Sequence, residues 1–185
     1  FVKNRFDHAY LFSKTAFLQE DAYDFIPEQN KVAGFDYQRL AGIVENQKKL
    51  KEYNLKLPKD QRKNIEVLII LDDVIADKAV RAGPGGAVIN ELFTNGRHCN
   101  ISIICISQSI STRYGFSGAV RENCDVAIAF MIQDQYSRET FCEKYLSIES
   151  KKAGMILLNS ITCADDPFTA IVADKSIQNI RCYKD

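Results

Sequence analysis

The feature that most constrains this chain is an apolar run that leads directly into two adjacent carboxylates, VLIILDD at residues 67–73. Five consecutive apolar residues are typical of a strand that is buried on both faces of a parallel sheet. Asp72 and Asp73 then fall at the carboxyl end of that strand. Ligands of open α/β sheets bind at this edge, so the run predicts where the functional site lies.

A second apolar run, at residues 101–107, ends in the polar amide of Gln108. We expect Gln108 to lie at the tip of a strand next to the strand that carries Asp72. Two carboxylates beside an amide suit the positioning of a metal ion, a water molecule and a phosphate group. The alternative is that both runs are core strands whose ends are ordinary polar loops.

Strand-like runs alternate with helical patterns at residues 36–53, 86–95 and 135–146. This alternation predicts an α/β fold with a mainly parallel, doubly wound sheet that is flanked by helices. The last two runs follow each other without a helix, which predicts a C-terminal β-hairpin with its turn near residues 163–167. The predicted strands are residues 9–12, 67–71, 101–107, 126–132, 155–158 and 170–173.

The sequence contains no phosphate-binding loop of the form G-x-x-x-x-G-K-[ST] before the acidic strand. The fragment Ser13-Lys14-Thr15 has no glycines in front of it, and the glycine-rich stretch 83–86 comes after the acidic strand. We therefore expect residues 1–185 to be a single but incomplete domain. The first strand, the phosphate loop and the first helix are expected to precede Phe1.

A missing strand would leave a gap in the sheet. In parallel sheets that bind nucleotides through a phosphate loop, the strand before that loop is a central strand. Its neighbours would be the strands expected here at residues 101–107 and 126–132. Both runs are too apolar to serve as exposed edges, and an open gap would leave backbone N–H and C=O groups unpaired. We therefore expect these two strands not to pair with each other, and to be separated either by that gap or by a replacement strand from elsewhere.

Charge is balanced overall but uneven along the chain. The sequence has 24 basic and 24 acidic residues, so net charge gives no general attraction to nucleic acid. Residues 47–63, however, contain seven basic residues against Glu52 and Asp60, a local net charge of +5. This segment is either a solvated helix and linker or a surface that contacts phosphates.

Six widely spaced cysteines form neither a C-x-x-C motif nor a Cys/His cluster. This pattern indicates a reducing compartment, with neither a zinc site nor a disulfide framework. No apolar run reaches the length of a membrane span.

Four segments carry a family resemblance: LIILDDV at residues 68–74, NELFTNGRH at 90–98, NISIICISQ at 100–108 and VRENCD at 120–125. They resemble the poxvirus-type DNA-packaging ATPases of the FtsK/HerA superfamily. The Gly-Arg-His sequence followed by an apolar strand that ends in Gln is the most specific part of the match.

The resemblance implies a RecA-like P-loop NTPase that uses ATP and Mg²⁺ to move double-stranded DNA into a viral capsid. It also implies a homo-oligomeric ring, with capsid or portal-type proteins as partners, in the virion or the cytoplasm of the infected cell. Asp72, with Asp73 beside it, would hold Mg²⁺, and Asp73 would orient or deprotonate the attacking water. Gln108 would contact the nucleotide with Asp72 and sense its γ-phosphate. Arg97 or Arg121 would neutralise charge on the phosphoryl group of a neighbouring subunit.

Two other functions remain open at this point. One is a related ATPase that pumps DNA in plasmid transfer or chromosome segregation. The other is a non-hydrolysing structural or DNA-binding subunit with a degenerate site. For Arg97 there is also a structural alternative, which is that it caps the C-terminal dipole of its helix.

Overall fold

The structure is a computed structural model, and it describes residues 5–18, 22–74, 80, 83–110, 116–146, 148, 150–162, 168–175 and 179–183. The chain forms two compact units, Phe1–Ser107 and Gln108–Asp185. Among the helices of the described residues, none combines the length and apolar character that crossing a membrane requires.

The first unit is built around a parallel sheet of four strands in the order β2-β1-β3-β4. The register places Ser13 of β1 opposite Asp72 of β3, and Asp72 opposite Ile106 of β4. The runs at 9–12, 67–71 and 101–107 are therefore confirmed as strands, whereas β2 was not predicted. The strands are β1 (His8–Ser13), β2 (Lys31–Ala33), β3 (Val67–Asp72) and β4 (Ile101–Ile106).

Burial explains the composition of the central strand. All five apolar residues of β3 at 67–71 are buried, as expected for a strand that is covered on both faces. Helix α1 (Tyr37–Leu55) begins at Asp36, whose carboxylate accepts the backbone N–H groups of Gln38 and Arg39. The buried face of α1 consists of Leu40, Ile43, Val44 and Gln47.

Helix α2 (Gly83–Asn95) packs beside α1, and a salt bridge from Lys48 to Glu91 joins the two helices. The glycine-rich stretch 83–86 thus opens a helix, which starts three residues before the predicted boundary. Short 3-10 helices lie at Glu28–Asn30, Lys59–Gln61 and Gly96–Cys99.

The second unit has an antiparallel sheet in the order β5-β6-β7. Its strands are β5 (Val126–Ala129), β6 (Ala170–Asp174) and β7 (Asn179–Tyr183). Its helices are α3 (Gly118–Glu122), α4 (Gln135–Phe141), which continues as a π-helix at Cys142–Leu146, and α5 (Lys151–Ile161). The core of this unit contains Phe141, Tyr145, Leu146, Leu158 and Ile171.

The predicted strand at 155–158 is wrong, because these residues lie within α5. Ser150 caps that helix by accepting the N–H of Ala153, and Gly154 and Leu158 are buried on one face at a spacing of four residues. A run of four apolar residues fits the period of a strand as well as that of a helix. The cap at Ser150 indicates the helix. A C-terminal hairpin does form, but from β6 and β7, and the predicted turn near 163–167 lies outside the described residues.

Strand β4 belongs to the sheet of the first unit and strand β5 to the sheet of the second unit. Within the part of the chain that the structure describes, each is the outer strand of its own sheet. Each also exposes apolar side chains on one face, Ile104 and Ile106 on β4 and Val126 and Ile128 on β5. Isolated edge strands with such faces are unfavourable in water.

A pair of substitutions in α5 tests the helical assignment of residues 155–158. Leu158 is fully buried, whereas Ile156 is 61% exposed. In a helix these two residues point to different faces, but in a strand they would share one face. In the intact protein, Leu158→Ala should lower the free energy of unfolding by about 2–5 kcal/mol. Ile156→Ala should change it by less than about 0.5 kcal/mol. Urea denaturation measures both values, and equal losses would contradict the helix.

Candidate active site

The carboxyl ends of β1, β3 and β4 meet at one edge of the sheet, and Asp72 lies at the centre of that edge. The hydroxyl of Ser13, at the end of β1, donates a hydrogen bond of 3.0 Å to Oδ2 of Asp72. Asp72 itself is half-buried. The site is therefore an acidic group held at the tip of a buried central strand, with one side open.

Ser13 is fixed by the turn that follows β1. Its hydroxyl accepts the backbone N–H of Thr15 at 3.2 Å and lies 3.2 Å from the hydroxyl of Thr15. Its carbonyl accepts the N–H groups of Ala16 and Gly34. Ser13 is 1% exposed, so its orientation toward Asp72 is built into the fold. The fragment Ser13-Lys14-Thr15 thus supports the carboxylate.

Tyr23 is a second neighbour of Asp72. Burial, the negative charge of Asp72 and a hydrogen bond to Asp72 together raise the pKa of Tyr23 to about 12. Tyr23 is therefore protonated at neutral pH and donates its O–H to the carboxylate. Sequence reasoning missed both residues. The end of β1 provided a signal for Ser13, but no pattern in the sequence connects Tyr23 to residue 72.

Asp73 leaves the strand in the left-handed conformation, with φ of 51°. Its backbone N–H still donates to the carbonyl of Ile106 at 3.0 Å, so the ladder extends one residue beyond Asp72. Asp is among the few residues that tolerate this conformation. The sharp turn prevents the two adjacent carboxylates from alternating across the sheet as they would in a continuing strand.

Gln108 follows the end of β4 by two residues, and its side chain is exposed. It is the first residue of the second compact unit.

Arg97 lies near the amino ends of the strands, whereas Asp72 lies at the carboxyl end of β3. It belongs to the 3-10 helix that precedes the amino end of β4, and its side chain is exposed. Strand β4 pairs with β3 in parallel over six residues, Val67 to Asp72. Six residues of strand span roughly 17 Å. Arg97 is therefore too far from Asp72 to serve the site of its own chain.

Arg121 lies in the last turn of α3. Its carbonyl accepts hydrogen bonds of 3.2 Å from the hydroxyl of Tyr145 and from Nζ of Lys175. Its side-chain Nε is shielded from solvent and has no hydrogen-bond partner among the described residues. The backbone of Arg121 is thus fixed, while part of its guanidinium group lacks a partner within that part of the chain.

The donor set at Asp72 suits magnesium. Among the described residues, no group of three or more His, Cys, Asp or Glu side chains is placed to hold a metal ion. Mg²⁺ is commonly bound by one or two carboxylates, with water and substrate phosphates as its other ligands. A half-open Asp72 beside the Ser13 hydroxyl supplies only oxygen ligands, which is the chemistry that this ion prefers.

Known structures share this fold at low sequence identity. The genome-packaging NTPase B204 of Sulfolobus turreted icosahedral virus 2, in complex with AMPPCP, aligns with a TM-score of 0.53 and 14% identity over 96% of this chain and 82% of that chain. The DNA-packaging ATPase B204 of Sulfolobus turreted icosahedral virus aligns with a TM-score of 0.54 and 14% identity over the same shares. The conjugation coupling protein TcpA of pCW3, bound to ATPγS, gives a TM-score of 0.65 and 13% identity over 96% of this chain and 51% of that chain.

These similarities establish the fold as that of the P-loop ATPases, which confirms the fold class predicted from the sequence. Comparison with curated protein sequences gives no significant match. The family model described as "Poxvirus A32 protein" matches residues 1–182. The chain therefore belongs to the poxvirus A32 protein family of viral DNA-packaging ATPases.

Proposed function

We propose that this chain carries the hydrolytic edge of an ATP-driven motor that moves double-stranded DNA into a viral capsid. The observation that carries the proposal is the position of Asp72, at the carboxyl end of the central parallel strand and held by Ser13. Ligands of open α/β sheets bind at this edge. Membership of the packaging-ATPase family supplies the process that the hydrolysis would drive.

In this proposal Asp72 binds Mg²⁺, and the Ser13 and Tyr23 hydroxyls hold its carboxylate in place. Mg²⁺, when bound by Asp72, would supply positive charge that stabilises the phosphate groups of ATP. Asp73, which the left-handed turn directs away from the course of the strand, orients the attacking water and accepts its proton. Gln108, which follows β4, contacts the nucleotide and senses the γ-phosphate.

The cation that stabilises the transferred phosphoryl group comes, in this proposal, from a neighbouring subunit of a homo-oligomeric ring. Arg97 is exposed at the far edge of the sheet, so it is suited only to the site of another copy. Arg121 is the second candidate, because its residue is partly exposed in the last turn of α3 and could meet an anionic group of another subunit. The two arginines remain alternatives that an experiment separates.

The phosphate-binding loop of this site, we propose, is supplied by a segment outside residues 1–185. No G-x-x-x-x-G-K-[ST] pattern occurs in residues 1–185. The exposed apolar faces of β4 and β5 support the same idea, because a strand and a helix from elsewhere would cover them. The motor would act in the virion or in the cytoplasm of the infected cell, with capsid or portal-type proteins as partners.

Asp73→Asn in the intact protein should leave nucleotide binding nearly unchanged and reduce ATP hydrolysis by about a hundredfold or more. The amide keeps the shape of the side chain but loses the negative acceptor for the proton of water. Steady-state hydrolysis and binding of a fluorescent nucleotide measure the two effects. Asp125→Asn, an exposed change of the same kind in the second unit, is the matched control. Hydrolysis within a few fold of wild type would exclude Asp73 as the catalytic carboxylate.

Mixing of variant subunits tests whether the arginine that acts on the phosphoryl group belongs to a neighbouring subunit. Arg97→Ala and Arg121→Ala subunits are each mixed with Asp73→Asn subunits, and hydrolysis is measured as the ratio changes. If the arginine acts in trans, a mixed interface pairs an intact carboxylate with an intact arginine, and activity rises above that of either variant alone. An absence of recovery at every ratio, in rings shown to be mixed, would contradict a trans role for the arginine tested.

The pKa of Tyr23 predicts a pH dependence of stability. The pKa is raised from about 10 in the unfolded chain to about 12 in the folded protein. The stabilisation by the Tyr23 hydroxyl is therefore complete below pH 10 and is lost as pH rises from 10 to 12. Tyr23→Phe should be less stable than wild type at pH 7, and the difference should shrink between pH 10 and pH 12.

Urea denaturation at neutral and alkaline pH measures this difference. Tyr53→Phe is the control, because Tyr53 is 60% exposed and should show neither effect. A difference between wild type and Tyr23→Phe that stays constant across this pH range would contradict the hydrogen bond to Asp72.

A further inference from the structure

A cleft lies between the second half of α1 and the segments that precede β3 and β4. Its cations are Lys51, Arg62 and Lys63, and His98 lies beside them. The remaining lining residues are amides, two leucines and a cysteine, and none of them is acidic or aromatic. We call this surface the basic cleft. Its composition suits an anion.

Side-chain hydrogen bonds join the two walls of the basic cleft. The side chain of Asn54, on α1, donates to the carbonyl of Lys63 at 2.7 Å and accepts the N–H of Lys63 at 3.2 Å. Gln47, which is 6% exposed, donates to the carbonyl of Ile65 at 3.2 Å. Two buried or partly buried amides thus hold the segment that carries Arg62 and Lys63 in place against the helix.

The positive charge of the basic cleft is not neutralised. Lys51 donates to the carbonyl of His98, and Nε of Arg62 donates to the carbonyl of Leu57 at 3.0 Å. Carbonyl groups carry no net charge. Among the described residues, no ion pair to a carboxylate is present for Lys51, Arg62 or Lys63.

Neighbouring lysines of α1 behave differently. Lys48 pairs with Glu91 across the two helices, and Lys49 pairs with Glu45 one turn away. The cations of the cleft therefore remain available to a ligand, whereas those on the adjacent faces of the helix are partly satisfied within the fold.

The cleft is separate from the hydrolytic site. It lies at the amino ends of β3 and β4, whereas Asp72 lies at the carboxyl end. Exposed Lys56 and Lys59 extend the positive surface beyond the cleft along the chain. Residues 51–63 thus carry five basic residues against Glu52 and Asp60, and this excess of positive charge suits a polyanion.

We propose that the basic cleft and the adjoining lysines contact the phosphate backbone of double-stranded DNA. Lys, Arg and amide side chains are the groups that proteins use for such contacts, which do not depend on base sequence. The lining contains no Phe, Tyr or Trp, which argues against a protein ligand because protein interfaces usually centre on such anchors. This inference rests on the proposed function, in which duplex DNA is the substrate.

The test compares two double variants of the intact protein that lose equal charge. Arg62→Gln/Lys63→Gln alters the cleft, and Lys144→Gln/Lys152→Gln alters the second unit. Binding to two unrelated DNA duplexes is measured by fluorescence anisotropy over a range of salt concentrations. The cleft variant should bind both duplexes about tenfold more weakly, and the slope of log affinity against log salt should fall in magnitude by about 2. The control variant should match wild type.

Circular dichroism and DNA-independent ATP hydrolysis of the cleft variant should equal those of wild type, because the changes are far from Asp72. If wild type binds DNA and the cleft variant binds it equally well, the inference is wrong and the proposed function stands. If the cleft variant keeps DNA binding but loses binding to poly-glutamate, the cleft is a site for an acidic protein. If wild type itself binds no duplex in the presence of ATP, the proposed function fails.

Discussion

The candidate active site depends on the parallel pairing of β1, β3 and β4. Parallel strands present all their carboxyl ends at one edge, and the register aligns Ser13, Asp72 and Ile106 at that edge. The Ser13 hydroxyl reaches Asp72 only because the two residues are register partners on adjacent strands. A shift of one residue would turn Ser13 to the other face of the sheet and remove this contact.

The same polarity separates opposite charges. Asp72 and Asp73 lie at the carboxyl edge, and the basic cleft lies at the amino edge of the same strands. The strands separate them by roughly 17 Å, whereas charges in water are screened over about 10 Å at moderate ionic strength. Binding of the proposed polyanion at the cleft would therefore leave the charge balance at Asp72 nearly unchanged, although the chain as a whole carries no net charge.

The outer strands of the two sheets leave apolar side chains exposed. Strands β4 and β5 expose Ile104, Ile106, Val126 and Ile128, which are side chains that favour burial. An edge strand also leaves backbone groups unpaired on one side. In the proposed function another segment completes the site. That segment would cover the apolar side chains, pair the backbone groups and supply the phosphate-loop motif that residues 1–185 lack.

Some elements were predictable from local sequence. Strand β3 and its terminal carboxylates follow from five apolar residues that no helical period interrupts, and α1 follows from the spacing of Leu40, Ile43 and Val44. By contrast, residues 155–158 were assigned as a strand although they form part of α5. Four apolar residues are too few to define a period, and the cap at Ser150 was the signal that was overlooked.

The sequence by itself determined the acidic strand, the alternation of strands and helices, and the family resemblance, because each depends on neighbouring residues in the chain. Only the tertiary structure decided that Ser13 and Tyr23 hold Asp72, that Arg97 lies at the amino ends of the strands, and that Lys51, Arg62 and Lys63 share one cleft. These relations join residues that are far apart in sequence. They arise from strand register and helix packing, which no local pattern records.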